Sequence, residues 1–164
     1  MYDWARYFWE KYVDYLDADK RTKTRISKQT RGQILLGEGK FHKGIIVVES
    51  IEIQNPYDFI EKNILLLQLI YEAHKEDAFD PISEIEEKFR PTMNRHLRNK
   101  KINKSAHNRR MNFLKVLNMI AYYRQNKFSK DEILYTLESL KLEIVQYSWL
   151  KEKAEELPIK KSKY

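Results

Sequence analysis

The side chains with the clearest chemistry in this sequence are cationic, and they are concentrated in one run. Residues 88–130 contain thirteen Lys or Arg residues and no Asp or Glu. Residues 44–87, just upstream, contain eleven acidic residues against Lys62 and Lys75. A soluble surface usually mixes its charges, and Lys and Arg attract phosphates and carboxylates. The segregation predicts either a surface for an anionic partner or one that pairs with the acidic block of the same chain or of a second copy.

The cations expected to share one surface lie in a polar connector and at the start of the helix after it. They are Arg95, Arg98, Lys100, Lys101, Lys104, Arg109 and Arg110. Asn118 and Arg124, at polar positions of that helix, are expected to extend the surface, and His96 and His107 to lie beside it. Residues 91–110 contain no Phe, Tyr or Trp on which a base could stack. Any nucleic acid would therefore be contacted through its phosphates.

Other kinds of site have little support in the sequence. The absence of Cys removes disulfides, thiolate chemistry and cysteine zinc sites, and it fits a reducing cytoplasm, where we expect the protein to be found. The four histidines lack the spacing of a helical zinc motif, so we expect no metal and no cofactor. The longest apolar run, residues 64–71, is too short to cross a bilayer, and we expect no membrane partner.

Length and composition favour one all-α domain. A chain of 164 residues can bury a core, and only four Gly and four Pro argue against a turn-rich β fold. We predict a single helical domain over residues 1–158 and a basic, disordered tail over residues 159–164. Asn55 before Pro56 is a typical helix start, and Ser129 with Glu132 predicts a capping box.

Two further patterns make predictions about particular helices. The N-terminal helix carries Trp4, Phe8, Tyr12 and Tyr15 on one stripe, and such a stripe usually packs in a core. Pro91 disfavours a helical conformation in the residue before it. We therefore expect a helix that starts near residue 80 to end or kink at Pro91, followed by a short helix and a loop up to residue 105.

Residues 28–56 resemble one unit of the tetratricopeptide repeat, a 34-residue helix–turn–helix. The match rests on small residues at helix contacts and the turn, large packing residues and a closing proline: Gly32, Leu35, Gly39, Phe41, Gly44, Val48 and Pro56. Later segments keep only parts of the pattern. The resemblance implies helical hairpins stacked as a short α-solenoid, with an irregular helical bundle as the alternative. It also implies a helix over residues 45–53, whose β-branched content would otherwise suggest a strand.

A second resemblance concerns catalysis. Arg90 and His96 are separated by five residues, as in the arginine–histidine motif of the HEPN helical ribonucleases. In that family the two side chains act together on a phosphodiester across a dimer interface. The resemblance implies a ribonuclease in which Arg90 and His96 are the catalytic pair.

Three functions follow, in order of preference. The first is a non-catalytic binding or scaffold protein of helical-repeat type, which recognises an acidic protein or peptide through its basic surface. The second is a helical nucleic-acid-binding protein that contacts phosphates through the same cations. The third is the HEPN-like ribonuclease. A second copy of the chain also stays open as a partner.

Overall fold

The structure, a computed structural model, describes residues 2–125 and 127–159. These residues form eight α-helices and three short 3-10 helices without a β-strand, so the predicted all-α class is confirmed. The chain divides into two compact units, Met1–Ala78 and Phe79–Tyr164. That residues 1–158 form one domain stays a prediction. In the predicted basic tail, only Ile159 belongs to the described residues.

The first unit contains four α-helices that pack on their neighbours along the chain. They are α1 (Tyr2–Tyr12), α2 (Lys20–Gly37), α3 (Phe41–Glu49) and α4 (Pro56–His74). A 3-10 helix, Val13–Tyr15, follows α1, and another, Lys75–Asp77, follows α4. Asn55 caps α4 as expected, since its side chain accepts hydrogen bonds from the backbone N–H groups of Tyr57 (2.9 Å) and Asp58 (3.0 Å).

The β-branched segment is helical from Ile45 to Glu49, as expected, because its packing overrides its propensity. The expectation that the helix continues over residues 50–53 was wrong, since α3 ends at Glu49. Gly44 and Val48 are buried in α3, between α2 and α4. A Cβ at Gly44 would lie 2.6 Å from Cδ2 of Leu69 on α4 and 3.5 Å from Cβ of Leu35 on α2. The helices can therefore approach this closely only because residue 44 has no side chain. Stacked helices of this kind suit a solenoid and a bundle alike, and the tetratricopeptide resemblance stays a prediction.

The aromatic stripe of α1 does not lie in a core, and that prediction was wrong. Trp4 is 69% and Tyr15 is 83% exposed. Neighbouring rings of the stripe contact each other along the helix surface, with ring centroids 5.2 Å apart for Trp4 and Phe8 and 4.6 Å apart for Phe8 and Tyr12. The less exposed positions of α1 and the 3-10 helix are residues 5, 9 and 13, a second stripe of the same period. Because α2 contacts α1 on that second stripe, the aromatic stripe faces outward.

The second unit is built from α5 (Phe79–Arg98), α6 (Lys104–Ala121), α7 (Lys130–Ser139) and α8 (Tyr147–Glu156), with a 3-10 helix, Tyr122–Gln125, after α6. Helix α6 packs on α5, α7 and α8 and supplies much of the core, including the fully buried Phe113, Leu114 and Leu117. The predicted capping box is present at the start of α7: the Ser129 hydroxyl accepts from the Glu132 N–H, and the Glu132 carboxylate accepts from the Ser129 N–H.

Pro91 does not end α5, so of the two predicted outcomes, an end or a kink, the end was wrong. The helix begins at Phe79 and continues through Pro91 to Arg98. Pro91 is exposed, whereas Phe89 and Met93 on either side of it are fully buried. Burial of those two side chains on one continuous helix offsets the lost backbone hydrogen bond and the clash of the Pro91 ring, which together cost about 3 kcal/mol. The short helix and loop expected before residue 105 are instead the last turn of α5 and a five-residue connector.

Across the part of the chain that the structure describes, no helix combines the length and the apolar character needed to cross a membrane.

Candidate cationic binding surface

The connector between α5 and α6 is built around a left-handed residue. The N–H of Lys101 donates to the carbonyl of His96 (2.9 Å), and the N–H of Lys100 donates to the carbonyl of Leu97 (3.0 Å). These two bonds are the Schellman motif that closes a helix, and it requires a left-handed residue just past the end. Lys100 occupies that position with φ of 55°. The turn thus places Lys100 and Lys101 immediately beyond the end of α5.

The far side of the connector is fixed by one buried and one capping residue. Ile102 is 4% exposed and anchors the turn in the second unit. Asn103 caps α6, because its side-chain oxygen accepts from the N–H of Ala106 at 2.7 Å. Lys104 is then the first residue of α6, and the first turn of that helix contains no acidic residue. A cation at this end of a helix is opposed by the helix dipole, whereas an anion would be favoured there.

Five of the predicted residues lie together at this end of the α5–α6 pair, and they are called the connector surface below: Arg95, Arg98, Lys100, Lys101 and Lys104. All five are exposed. Within residues 79–125 and 127–159, no carboxylate lies within 4 Å of their charged nitrogens to form a salt bridge. The five cations therefore form no salt bridge within the described part of this unit, and an anion from outside it could bind them.

The two histidines border the connector surface. His96 is partly buried, and burial, followed by the nearby charges of Arg95 and Lys101, lowers the pKa of its imidazole from the ordinary 6.5. His107 lies on the first turns of α6, where its Nε2 is 2.8 Å from Oδ1 of Asn94 on α5. His96 therefore favours the neutral form among cations, and His107 ties the two helices together.

Arg109 and Arg110 are not brought to the connector surface. Arg109 is exposed but lies about 140° around α6 from Lys104, on the side where its carbonyl accepts from the N–H of Val145 (3.4 Å). Arg110 is partly buried, and its Nη1 donates to the carbonyl of Ala106 at 3.3 Å. The side chain of Arg124 lies outside the described residues.

Asn118 has a structural contact in place of an exposed one. It is partly buried, about 21 Å along α6 from Lys104, and its amide donates to the Glu86 carboxylate at 2.6 Å. Glu86 also accepts from Nε of Arg90, at 3.1 Å. The expectation that Asn118 is an exposed binding position does not agree with this placement, which joins α5 to α6.

The geometry of Arg90 and His96 bears on the ribonuclease resemblance. Arg90 forms an ion pair with Glu86 one turn earlier on α5. Because α5 is continuous, His96 lies about 120° around the helix from Arg90 and about 9 Å further along it. The two side chains of one chain therefore point in different directions. Their joint action would need a second copy, as the resemblance implies.

One cationic region of the first unit was missed by reasoning from the sequence. Arg31, Lys40 and Lys43 line a cavity beside α1 with Arg6. These residues are separated by up to 37 positions and come from α1, α2, α3 and the turn before α3, so no local motif marks them. The available signal was the high content of Lys and Arg in α2, which begins at Lys20.

Comparison with protein-family models, with curated proteins and with solved structures finds no match to this chain. Among the residues that the structure describes, no group of three or more His, Asp or Glu side chains is arranged to hold a metal ion.

Proposed function

We propose that the second unit is a non-catalytic binding module that recognises an acidic protein segment through the connector surface. The observation that carries the proposal is the gathering of five exposed cations that form no salt bridge with a carboxylate in the described part of that unit. Like charges held close together repel one another, and an anionic partner removes that repulsion while gaining attraction. A partner rich in Asp and Glu is the protein chemistry that fits.

The positions of the cations on their helices support the same proposal. Arg95 and Arg98 belong to the last turn of α5, where the helix dipole stabilises positive charge. Lys104 is in the first turn of α6, where the dipole opposes it. A carboxylate bound beside Lys104 would compensate both the side chain and the free N–H groups of that turn. The two arginines can in addition bind carboxylates through two parallel hydrogen bonds.

The tetratricopeptide resemblance of the first unit is part of this proposal. Helices α2, α3 and α4 pack in sequence order, and the contact at Gly44 is as close as such a hairpin requires. Helical repeats of this type present surfaces to other proteins and seldom carry out catalysis. A binding role for the whole chain is consistent with both units.

Nucleic acid is the second candidate, and one observation favours it. The first turn of α6 joins Lys104 to a helix N-terminus without an acidic residue, an arrangement that suits a phosphate group. The connector has no aromatic side chain, so contact would be with the backbone of a nucleic acid and independent of its sequence.

The test is a fluorescence-anisotropy titration with three labelled probes: a twelve-residue peptide of alternating Asp and Glu, random single-stranded RNA and random duplex DNA. Each is measured at about 50 and 200 mM salt, the range over which phosphate contacts lose most affinity. The variant carries Arg98→Glu, Lys101→Glu and Lys104→Glu. The matched control carries Arg109→Glu, Lys115→Glu and Lys151→Glu, which gives the same change in net charge at exposed positions away from the connector surface.

The proposal predicts that the acidic peptide binds, that the connector variant loses at least tenfold in affinity and that the control variant keeps most of it. Preference for RNA or DNA over the peptide, with the same loss in the connector variant, would replace the first candidate by the second. Equal losses in the two variants would show attraction by net charge alone and would overturn both.

A further inference from the structure

The first unit contains a cavity of about 500 Å³ that the connector surface does not involve. It is bordered by α1, by α2 and by the first turn of α3. The volume is typical of pockets that hold small molecules, which range from about 300 to 1,000 Å³. The lining is unusual in combining four cations, Arg6, Arg31, Lys40 and Lys43, with an aromatic wall and an apolar base.

The apolar part of the cavity comes from Trp9, Ile34 and Leu35. Ile34 and Leu35 are each 7% exposed and belong to the core of α2. The Trp9 indole is partly buried, and its Nε1 donates to the Ser27 hydroxyl at 3.2 Å, which holds the ring between α1 and α2. A planar or aliphatic group placed here would exchange water for a fixed aromatic ring and two aliphatic side chains.

The cations of the cavity are not equivalent. Arg6 and Lys40 share the Glu38 carboxylate, which accepts from Nζ of Lys40 at 2.8 Å. The hydrogen bond from Lys40 and the charge of Arg6 lower the pKa of Glu38, so this acid stays ionised and occupies both partners. Arg6 and Lys40 thereby fix the relative positions of α1 and the turn before α3.

Arg31 and Lys43 are the cations that remain available. Both are exposed, and in the described part of the first unit no carboxylate forms a salt bridge with either of them. Glu10 is the acid in the cavity lining. Helix α3 begins beside the cavity, and its N-cap residue, Lys40, provides no side-chain acceptor for the first N–H groups. The dipole of α3 therefore adds to the positive potential that Lys43 and Arg31 create.

We propose that this cavity binds a small organic anion whose carboxylate or phosphate meets Arg31 and Lys43 and whose apolar or planar body lies against Trp9, Ile34 and Leu35. The site belongs to the first unit and is independent of the function proposed for the connector surface. An aryl carboxylate and a mononucleotide share this chemistry, an anionic head on a planar body. Arg31 suits either head group because its guanidinium can form two parallel hydrogen bonds with it.

The test uses the indole N–H signals of the full-length protein in two-dimensional ¹H–¹⁵N spectra. The chain has three tryptophans, so Trp9 reports on the cavity while Trp4 and Trp149 serve as internal controls. Trp9→Phe assigns the signal. The probes are 1-naphthoate with neutral 1-naphthalenemethanol, and adenosine 5′-monophosphate with neutral adenosine. The variants are Arg31→Gln and Lys43→Gln, with Lys20→Gln as a matched exposed cation outside the cavity lining.

We expect at least one anion to shift the Trp9 signal in a saturable way and its neutral analogue to bind about tenfold more weakly or not at all. Each cavity variant should lose about tenfold in affinity for that anion, whereas Lys20→Gln should bind it as tightly as the parent does. Response to the nucleotide alone or to the carboxylate alone would identify the source of the head group. No Trp9 shift with either anion up to 10 mM would overturn the proposal, as would equal binding of the neutral analogues or equal affinity in the cavity variants.

Discussion

The backbone of Lys100 allows a prediction in which two neighbouring substitutions have opposite effects. Lys100 has φ of 55°, in the left-handed region that favours glycine, whereas Lys101 beside it has a negative φ. The corresponding position after α2 is occupied by Gly39, with φ of 73°. Lys100→Gly is therefore expected to stabilise the second unit, and Lys101→Gly is expected to destabilise it.

The magnitudes follow from the backbone. The left-handed conformation destabilises the folded state by about 1–2 kcal/mol when the residue has a side chain. Glycine avoids that cost but lowers the free energy of unfolding by about 0.5–1 kcal/mol, because it has more conformational entropy in the unfolded chain. Lys100→Gly should then raise the free energy of unfolding by roughly 0.5–1 kcal/mol, and Lys101→Gly should lower it by about 0.5–1 kcal/mol. Each variant removes one positive charge from the same surface, so relief of charge repulsion largely cancels in the comparison.

Urea unfolding at equilibrium measures the difference. The reporter is Trp149 on α8, whose ring centroid lies 6.3 Å from that of Phe113 on α6, in a background with Trp4→Phe and Trp9→Phe. Fluorescence then follows the second unit alone. The same two proteins are titrated with the acidic peptide, and both are expected to bind more weakly than the parent because each lacks one cation. Lys100→Gly would thus be more stable and yet bind less well.

Two results would refute this reasoning. If Lys100→Gly destabilises the unit as much as Lys101→Gly, the left-handed turn after α5 is not strained by its side chain. If the two variants bind the acidic peptide as tightly as the parent does, these lysines are not part of the binding surface.

Three further predictions concern packing, the ion pair between Arg25 and Asp58, and pH. Gly44→Ala brings a Cβ to 2.6 Å from Leu69 and should lower the free energy of unfolding by up to about 2 kcal/mol. Gly37→Ala, at the exposed end of α2, should not lower it. Equal effects of the two variants in urea unfolding would contradict this prediction. Asp58→Ala removes the ion-pair partner of Arg25 on α2, 3.1 Å away. Because Arg25 is partly exposed and water can reach it, the loss should be about 1–3 kcal/mol in the same assay, and a loss below about 0.5 kcal/mol would refute a structural role. The pKa of His96 is lowered in the fold, so its contribution to the free energy of unfolding should be fully present above pH 6.5 and be lost as the pH falls from there through the folded pKa. His96→Gln should remove that part of the pH profile. An unchanged profile would show that His96 is not responsible.

Local signals in the sequence were sufficient for the fold class and for several helix ends. Scarce Gly and Pro indicated helices, and Asn55 and Ser129 marked two helix starts where the structure places them. Such signals work because a cap satisfies backbone N–H groups within three residues of itself, so its effect is independent of the rest of the chain. The concentration of cations after residue 88 could also be read directly, because it is a property of the local composition.

Only the tertiary structure decided which surfaces these helices expose. Helix α1 has two apolar stripes of the same period, and contact with α2 determined that the one containing Trp4 faces outward. The fully buried Phe89 and Met93 favoured a continuous α5 over the break that Pro91 suggests. Helix packing also separated Asn118 from the connector surface and brought Arg31 and Lys43 to one cavity. Sequence patterns report periods and caps over a few residues, whereas burial depends on which distant segment covers a face, and that is settled when the whole chain packs.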